Sequence, residues 1–301
     1  VRGKEKSLGL FICGGKGRTS RQTPEEITTW GEKLSLPENQ VKSLVYHSRM
    51  AAKVDNSLVQ DGFQIYHHTF FFCRSGSWTV VQQGMNQSSQ QARRYHWFSQ
   101  KLTDLVCEPH AGIISESNCH LCLNLTAKES ESTRLLSTRL VQNGFLSLMK
   151  DIKILRRQAG DVSQMVAVAS ENAEMVALEL FPVEFTDHPV TGENFLHNRY
   201  LEKILWQLCQ ARPDNYERLV ALPGVGPKTV RALSLVSEVI YGAAPSYVDP
   251  ARYSFAHGGK DGTPYPVDRL TYDRTIEFFR QVVRRMRISP WEKRSLEQKL
   301  K

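Results

Sequence analysis

The fold class is decided by the stretch Gln64-Ile65-Tyr66-His67-His68-Thr69-Phe70-Phe71-Phe72, which is followed after five residues by Trp78-Thr79-Val80-Val81-Gln82-Gln83. Both runs are rich in aromatic and β-branched residues, which favour extended strands. The segment between them, Arg74-Ser75-Gly76-Ser77, is typical of a turn. The two runs therefore predict a β-hairpin. Shorter β-rich runs at 113–114 and 122–125 are expected to extend it into a small antiparallel sheet.

Helical patterns lie on both sides of this β-rich region. Thr23-Pro24-Glu25-Glu26 combines a capping residue, a proline suited to the first helical position and two acidic residues, so it predicts a helix of about ten residues. Apolar residues at three-to-four spacing predict a second helix over 37–60. Further helices are predicted over 129–142, 144–155, 201–210, 216–222, 227–241 and 272–287, with a turn rich in proline and aspartate over 181–192.

The sequence therefore predicts an α+β protein with a small antiparallel β-rich N-terminal part and a mostly helical C-terminal part. The boundary is placed after residue 126, which gives an α+β domain with a β-hairpin over 1–126 and a helical domain over 127–301. A chain of 301 residues is long enough for about two domains. The chain begins with Val1 and a glycine-rich segment follows closely, so we expect it to be a fragment or a processed form.

The composition narrows the class of protein and of partner. The chain has 39 Lys and Arg against 31 Asp and Glu, a formal net charge of +8, and 41% of its residues are apolar. It contains no run of 18 or more apolar residues, so no transmembrane helix and no membrane partner are predicted. The absence of a signal peptide and the use of six cysteines in a chain of this length predict a cytoplasmic protein. The basic excess favours polyanionic partners such as nucleic acids.

The strongest functional signal is Leu222-Pro223-Gly224-Val225-Gly226-Pro227-Lys228-Thr229, which lies between two apolar helical patterns. Gly224 and Gly226 permit backbone conformations that other residues avoid, and they let the main chain approach a phosphate closely. Val225 is expected to anchor the turn in the core. Pro227 opens the next helix, whose first amides and positive dipole end would face a phosphate. Such a hairpin positions a phosphate backbone without reading the base sequence.

This segment, at about 214–241, resembles the helix-hairpin-helix motif of the endonuclease III-like DNA glycosylases. In that family the hairpin has the form Leu-Pro-Gly-Val-Gly-x-Lys-Thr, and a catalytic Asp follows in a Val-Asp pair. The resemblance implies a DNA repair glycosylase for a damaged base, such as an oxidised pyrimidine, with abasic-site lyase activity and no cofactor. It implies Lys228 as the nucleophile and Asp249 as the second catalytic residue. It also implies double-stranded DNA as the partner, contacted by Leu222, Pro223, Gly224, Val225, Gly226 and Thr229.

Two departures from the glycosylase pattern leave other interpretations open. Asp249 is followed by Pro250 where that family usually has Thr-His, and no four-cysteine iron–sulfur cluster can follow because the last cysteine is Cys209. Lys228 has the alternative role of a simple phosphate contact. The alternatives for the whole protein are a non-catalytic module that binds structured DNA or RNA and a metal-dependent nuclease.

The chain as a whole also resembles a second family, the DUF763 proteins of archaea and bacteria. The matching stretches are 51–56, 60–71, 80–85, 94–97, 125–130 and 255–262. This resemblance implies a protein that handles nucleic acid, without specifying its chemistry. It also implies that members of the family begin upstream of Val1.

A group of polar residues in and beside the predicted hairpin is a candidate for recognising an extruded base. The group consists of Asp55, Asp61, Tyr66, His67, His68, Gln82 and Gln83. Glutamine amides supply paired donors and acceptors for a base edge, and aromatic rings stack on a base. As alternatives, Asp55 and Asp61 would hold magnesium, or the group is a polar sheet face packed against a neighbouring element.

Two further segments carry weaker signals. The glycine-rich loop 253–262 contains His257, Lys260 and Asp261, which are additional candidates for base recognition because functional residues often lie on loops. The pairs Cys107/His110 and Cys119/Cys122 have zinc-site spacing, but only eight residues separate them. Buried free cysteines are the alternative, and no metal site is predicted.

Overall fold

A computed structural model describes residues 3, 5–87, 90–115, 119, 122–158, 166–169, 175–178, 199–251, 269–286, 288–298 and 300. The helices are α1 (Glu5–Leu8), α2 (Thr23–Lys33), α3 (Glu38–Ser57), α4 (Glu131–Gln142), α5 (Phe145–Gln158), α6 (Arg199–Ala211), α7 (Tyr216–Ala221), α8 (Pro227–Leu235), α9 (Arg269–Arg285) and α10 (Pro290–Gln298). The strands are β1 (Leu10–Lys16), β2 (Val59–Gln60), β3 (Gln64–Cys73), β4 (Trp78–Met85), β5 (Ala92–Phe98), β6 (Gly112–Ser115), β7 (Leu123–Asn124), β8 (Val166–Ala169) and β9 (Met175–Leu178).

The central element is a five-stranded antiparallel sheet with the strand order β1-β3-β4-β5-β6. Strands β3 and β4 form the predicted hairpin, in which Phe72 pairs with Trp78 next to the turn. Strand β6 confirms the predicted extension at 113–114. The predicted extension at 122–125 is wrong, because β7 bonds instead to β2 at the end of α3 in a separate two-stranded sheet. The mixed α and β structure agrees with the predicted fold class.

Side chains alternate between the two faces of this sheet, and α3 covers one of them. We call the face that α3 covers the inner face. The side chains of His68 and Phe70 on β3 and of Gln82 on β4 are buried on it. On β5, alternate residues are buried on the same face, namely Arg93, Tyr95 and Trp97. The inner face therefore carries polar as well as apolar side chains into the interior.

The helical predictions are largely confirmed. Helix α2 begins at Thr23 with Pro24 in its first turn, and α3 lies within the predicted range 37–60. The helix predicted over 227–241 changes character within its length, because α8 ends at Leu235 and a π-helical turn follows over Val236–Ile240. The turn predicted over 181–192 lies outside the described residues.

A single cluster of buried side chains joins residues on both sides of the predicted boundary after residue 126. It contains Phe70 of the sheet, Val54 of α3, Leu219 of α7 and Val230 of α8. The division into two domains stays a prediction. Within the described part of the chain, no helix combines the length and the apolar character needed to span a bilayer.

Candidate functional site

The turn between α7 and α8 depends on Gly224. The N–H of Val225 donates to the carbonyl of Leu222 at 3.3 Å, which closes a four-residue turn with Pro223 and Gly224 at its centre. Gly224 has φ of 81°, in the left-handed region that favours glycine. A Cβ at this position would lie 2.4 Å from Cδ1 of Ile204 on α6. The turn is therefore packed closely against α6 and requires glycine here.

The next glycine of the turn, Gly226, faces open space. Its backbone is extended, with φ of −146°, and no atom of the described residues lies within 4 Å of the position that its Cβ would occupy. Val225 beside it is buried in the core, as the sequence predicts. Helix α8 begins at Pro227, and within the described part of the chain no side chain is bonded to the amides of its first turn. The first amides of α8 are therefore available to an anion.

A cleft of about 540 Å³ lies between this turn, α3 and the start of α2. Val225 and Gly226 line it on one side. Among the described residues, the charged side chains that line it are all basic: Arg21, Arg49 and Lys53. The two arginines are exposed, and no carboxylate of the described residues forms an ion pair with either of them. We call this feature the basic cleft.

Lys53 ties α3 to the α7–α8 turn. Its ammonium donates hydrogen bonds to the carbonyl of Val220, at 2.7 Å, and to that of Leu222. These carbonyls lie at the C-terminal end of α7, where a cation is favourable. Burial lowers the pKa of Lys53 to about 8. Sequence reasoning missed this residue, because nothing in the pattern of α3 separates Lys53 from an ordinary surface lysine.

A chain of hydrogen bonds leads from the basic cleft into the interior. Ser48 Oγ lies 2.9 Å from His68 Nε2, and His68 Nδ1 lies 2.9 Å from Gln82 Oε1. Gln82 Nε2 donates to the carbonyl of Ala51 at 3.1 Å and to Asp55 Oδ2. Because both amide protons of Gln82 go to these acceptors, its oxygen accepts from His68 Nδ1. A neutral His68 then accepts the Ser48 hydroxyl proton at Nε2, and burial favours that neutral form by lowering the pKa of His68.

Asp55 is fully buried at the inner end of this chain. Its carboxylate accepts from the indole of Trp97, with Nε1 3.0 Å from Oδ2, and Oδ1 lies 2.5 Å from His110 Nε2. Each carboxylate oxygen therefore has a close polar partner. His110, which the sequence offered as half of a zinc pair, instead holds this carboxylate. Among the described residues no group of three or more His, Cys, Asp or Glu is suited to a metal ion.

Arg93 joins two of the predicted site residues, Asp61 and Asp249. Its guanidinium is buried, with Nη1 2.9 Å from Asp61 Oδ2 and Nη1 and Nη2 2.9 and 2.8 Å from the two Asp249 oxygens. The Tyr95 hydroxyl also donates to Asp61 Oδ2 at 2.5 Å. Burial alone would lower the pKa of Arg93, but the hydrogen bonds and charges of the two carboxylates raise it. Asp249 is therefore held by a bidentate ion pair.

The structure does not bring Lys228 and Asp249, the predicted catalytic pair, together in the basic cleft or in the cavity that Asp249 lines. Asp249 lines a second cavity of about 520 Å³ together with His110 and Asn124. Lys228 is exposed at the start of α8 and belongs to the lining of neither this cavity nor the basic cleft. Among the described residues its ammonium has no hydrogen-bond or ion-pair partner.

The predicted base-recognition residues are divided between the two faces of the sheet. Asp55, Asp61, His68 and Gln82 are buried with the inner face. His67 and Gln83 pair with each other in the register of β3 and β4 and lie on the opposite face. Tyr66 is half-buried, with the Lys16 ammonium 5.8 Å from its ring centroid. The other candidates, His257, Lys260 and Asp261, lie outside the described residues.

The partners of the buried carboxylates are the main residues that sequence reasoning missed. Arg93, Tyr95 and Trp97 recur at a spacing of two along β5. That spacing is the signal of a buried strand face and was the one clue available. Because Arg93 on the buried face is as polar as the intervening Arg94 and His96, the strand does not alternate simply between apolar and polar residues.

Comparison with known proteins places these features in a family. The sequence matches DUF763, described as a protein of unknown function, over residues 1–267. No curated protein and no solved structure matches the chain. The matched region contains the α7–α8 turn, the basic cleft and the Arg93 ion pairs. A match over this share of its length shows that the chain belongs to the DUF763 family.

Proposed function

We propose that the chain binds nucleic acid and holds the backbone of double-stranded DNA at the α7–α8 turn, which acts as a helix-hairpin-helix motif. The observation that carries this proposal is the position of Gly226 at the start of α8, beside a cleft in which the charged side chains of the described residues are all basic. Backbone amides at a helix N-terminus bind phosphate, and nearby cations neutralise its charge.

The geometry of the cleft favours the phosphate backbone as the group that is bound. Arg49 and Lys53 are four residues apart on α3 and so lie on one side of that helix, while Arg21 faces them from the segment before α2. Contacts of this kind read no bases. The affinity should therefore depend little on sequence and fall steeply as the salt concentration rises.

Gly226→Val is expected to weaken binding to a short labelled duplex by about tenfold or more, equivalent to about 1.4 kcal/mol or more. The new side chain would project into the open space through which the DNA backbone approaches, while the extended backbone at this position suits a β-branched residue. Fluorescence anisotropy measures the affinity, and thermal unfolding followed by circular dichroism checks that the variant is folded.

Gly112→Val on β6 is the matched control. Its Cβ position is also free of neighbours within 4 Å and its φ is not positive, but it lies away from the basic cleft. It should bind DNA as the wild type does. Unchanged affinity in a folded Gly226→Val variant would contradict the proposal. Tighter binding to an RNA duplex than to DNA would change the assigned partner.

A DNA repair glycosylase with abasic-site lyase activity is the second candidate, and the exposure of Lys228 favours it. An amine that is free beside the first amides of α8 is accessible to a sugar bound at the turn. In this proposal Lys228 attacks the anomeric carbon, and Asp249 stabilises the cation that develops or orients water. The contacts of Asp249 favour the binding proposal, because the carboxylate would have to act while held by two hydrogen bonds from Arg93 and by the backbone N–H groups of Cys119 and Ala251.

Borohydride reduction during incubation with an abasic-site duplex distinguishes the two candidates. If Lys228 is a nucleophile, the wild type should form a covalent adduct that survives denaturing electrophoresis, and Lys228→Gln should form none, because an imine requires the amine. Lys42→Gln, at an exposed lysine of α3, should trap DNA as the wild type does. Absence of an adduct with the wild type would reject the lyase and leave the binding function.

A further inference from the structure

The Ser48–His68–Gln82 chain has the donor and acceptor order of a hydrolytic triad. The Ser48 hydroxyl donates to His68 Nε2, and His68 Nδ1–H donates to Gln82 Oε1; each donor–acceptor distance is 2.9 Å. In hydrolytic triads the corresponding groups are a nucleophile, a general base and the group that fixes the tautomer of the base. The same arrangement is recognised by geometry and not by sequence position, since it recurs on unrelated folds.

The group that orients His68 is rigidly held. Gln82 is 0% exposed, and its amide nitrogen is bonded to the carbonyl of Ala51 and to Asp55. Asp55 is held in turn by Trp97 and His110. His68 forms hydrogen bonds with Ser48 and Gln82. The charged or titratable groups that act on it electrostatically are Asp55 and the neighbouring His67. A proton taken up by His68 would be stabilised by the Gln82 oxygen and by the Asp55 carboxylate behind it.

Ser48 and His68 both line the basic cleft, in which Gly226 is also found. A phosphate held at the α7–α8 turn would therefore lie in the same cleft as the Ser48 hydroxyl. Arg49 and Lys53 lie one and five residues after Ser48 on α3 and would offset the negative charge of the phosphoryl oxygens. The cleft thus combines a binding surface for an anion with a serine–histidine pair.

We infer that Ser48, with His68 as general base, is a nucleophile toward a phosphodiester in the basic cleft, so that the chain cleaves a nucleic-acid backbone. This inference rests on the proposed binding function. Ser48 Oγ forms a bond to phosphorus as the bond from phosphorus to one ester oxygen breaks. The hydroxyl proton passes to His68 Nε2 and then to the departing oxygen. Water, deprotonated by His68, then forms a bond to phosphorus as the bond from phosphorus to Ser48 Oγ breaks. His68 returns the proton to Ser48 Oγ, and the nucleic acid leaves with a phosphate monoester end.

The first experiment treats the wild-type protein with a fluorophosphonate probe and identifies the labelled residue by mass spectrometry. The label is expected on Ser48, and His68→Gln should slow labelling by about 100-fold, since it removes the general base. Ser43→Ala is the matched control, because Ser43 on the same helix also contacts a histidine, His47, at 3.4 Å but is exposed outside the cleft. It should be labelled as fast as the wild type. Absence of label on Ser48 in the wild type would overturn the inference.

The second experiment incubates an end-labelled duplex with the protein in the presence of a chelator. The wild type and Ser43→Ala should cleave it, and Ser48→Ala should not. Because the probe identifies the residue in the wild type, the test holds even if Ser48→Ala does not fold. A wild type that binds DNA but neither cleaves it nor takes label at Ser48 would overturn the inference and leave the binding function standing. If the wild type does not bind the duplex at all, the binding function is overturned, and with it the nucleic-acid substrate.

Discussion

Arg93→Met is expected to lower the free energy of unfolding by about 3–5 kcal/mol. The substitution keeps an unbranched side chain in the interior but removes the cation shared by Asp61 and Asp249. These carboxylate side chains are only 0% and 7% exposed, so they would be left as buried charges without their partner. Urea denaturation followed by circular dichroism measures the change.

Two controls separate this effect from a general loss of packing. Adding Asp249→Asn to Arg93→Met should recover part of the lost stability, because it removes one of the orphaned charges, and the double-mutant cycle gives the coupling energy. Lys42→Met removes the partner of Glu38 in an exposed ion pair on α3 and should have no measurable effect. If Arg93→Met behaves like Lys42→Met, the ion pairs are not a source of stability.

Gly224→Val is expected to destabilise the protein through two separate terms. A β-branched residue with φ of 81° costs about 1–3 kcal/mol in backbone strain. Its Cβ would also overlap Cδ1 of Ile204, which costs about 1–3 kcal/mol more unless α6 moves. Thermal unfolding should therefore occur at a clearly lower temperature than in the wild type.

Gly226→Val, two residues later in the same turn, is the control for Gly224→Val. Gly226→Val meets no neighbour and should leave the unfolding temperature nearly unchanged. Combining Gly224→Val with Ile204→Ala should relieve the overlap but not the strain, so we expect no full recovery. A Gly224→Val variant as stable as the wild type would show that the turn tolerates a different backbone conformation.

Helix α3 connects the parts of the protein on which these predictions depend. Its Tyr46 hydroxyl donates to Glu217 of α7 at 2.5 Å, and its Lys53 bonds the last carbonyls of the same helix. Its Ser48 and Asp55 contact the sheet through His68 and Gln82. The α7–α8 turn and the polar inner face of the sheet are therefore both held by one helix.

The hairpin of β3 and β4 and most of the helices could be predicted because their signals are local. The strands β1 and β5 were missed for different reasons. Strand β1 contains Gly14 and Gly15, which weaken the strand pattern. The buried face of strand β5 contains the charged Arg93 beside Tyr95 and Trp97, so it does not stand out as apolar. The pairing of β7 with β2 was missed because strand pairing depends on elements that are distant in sequence.

By itself the sequence determined the order of the main elements and the α7–α8 turn, since hydrophobic period and the conformational limits of glycine and proline act over a few residues. Only the tertiary structure decided which polar groups meet. Arg93 and Asp249 are 156 residues apart and Asp55 and His110 are 55 apart. His68 and Gln82, on neighbouring strands, reach Ser48 and Asp55 only because α3 packs on that face of the sheet. Burial in a common interior forces such groups to pair, and no spacing in the chain records which pairs result.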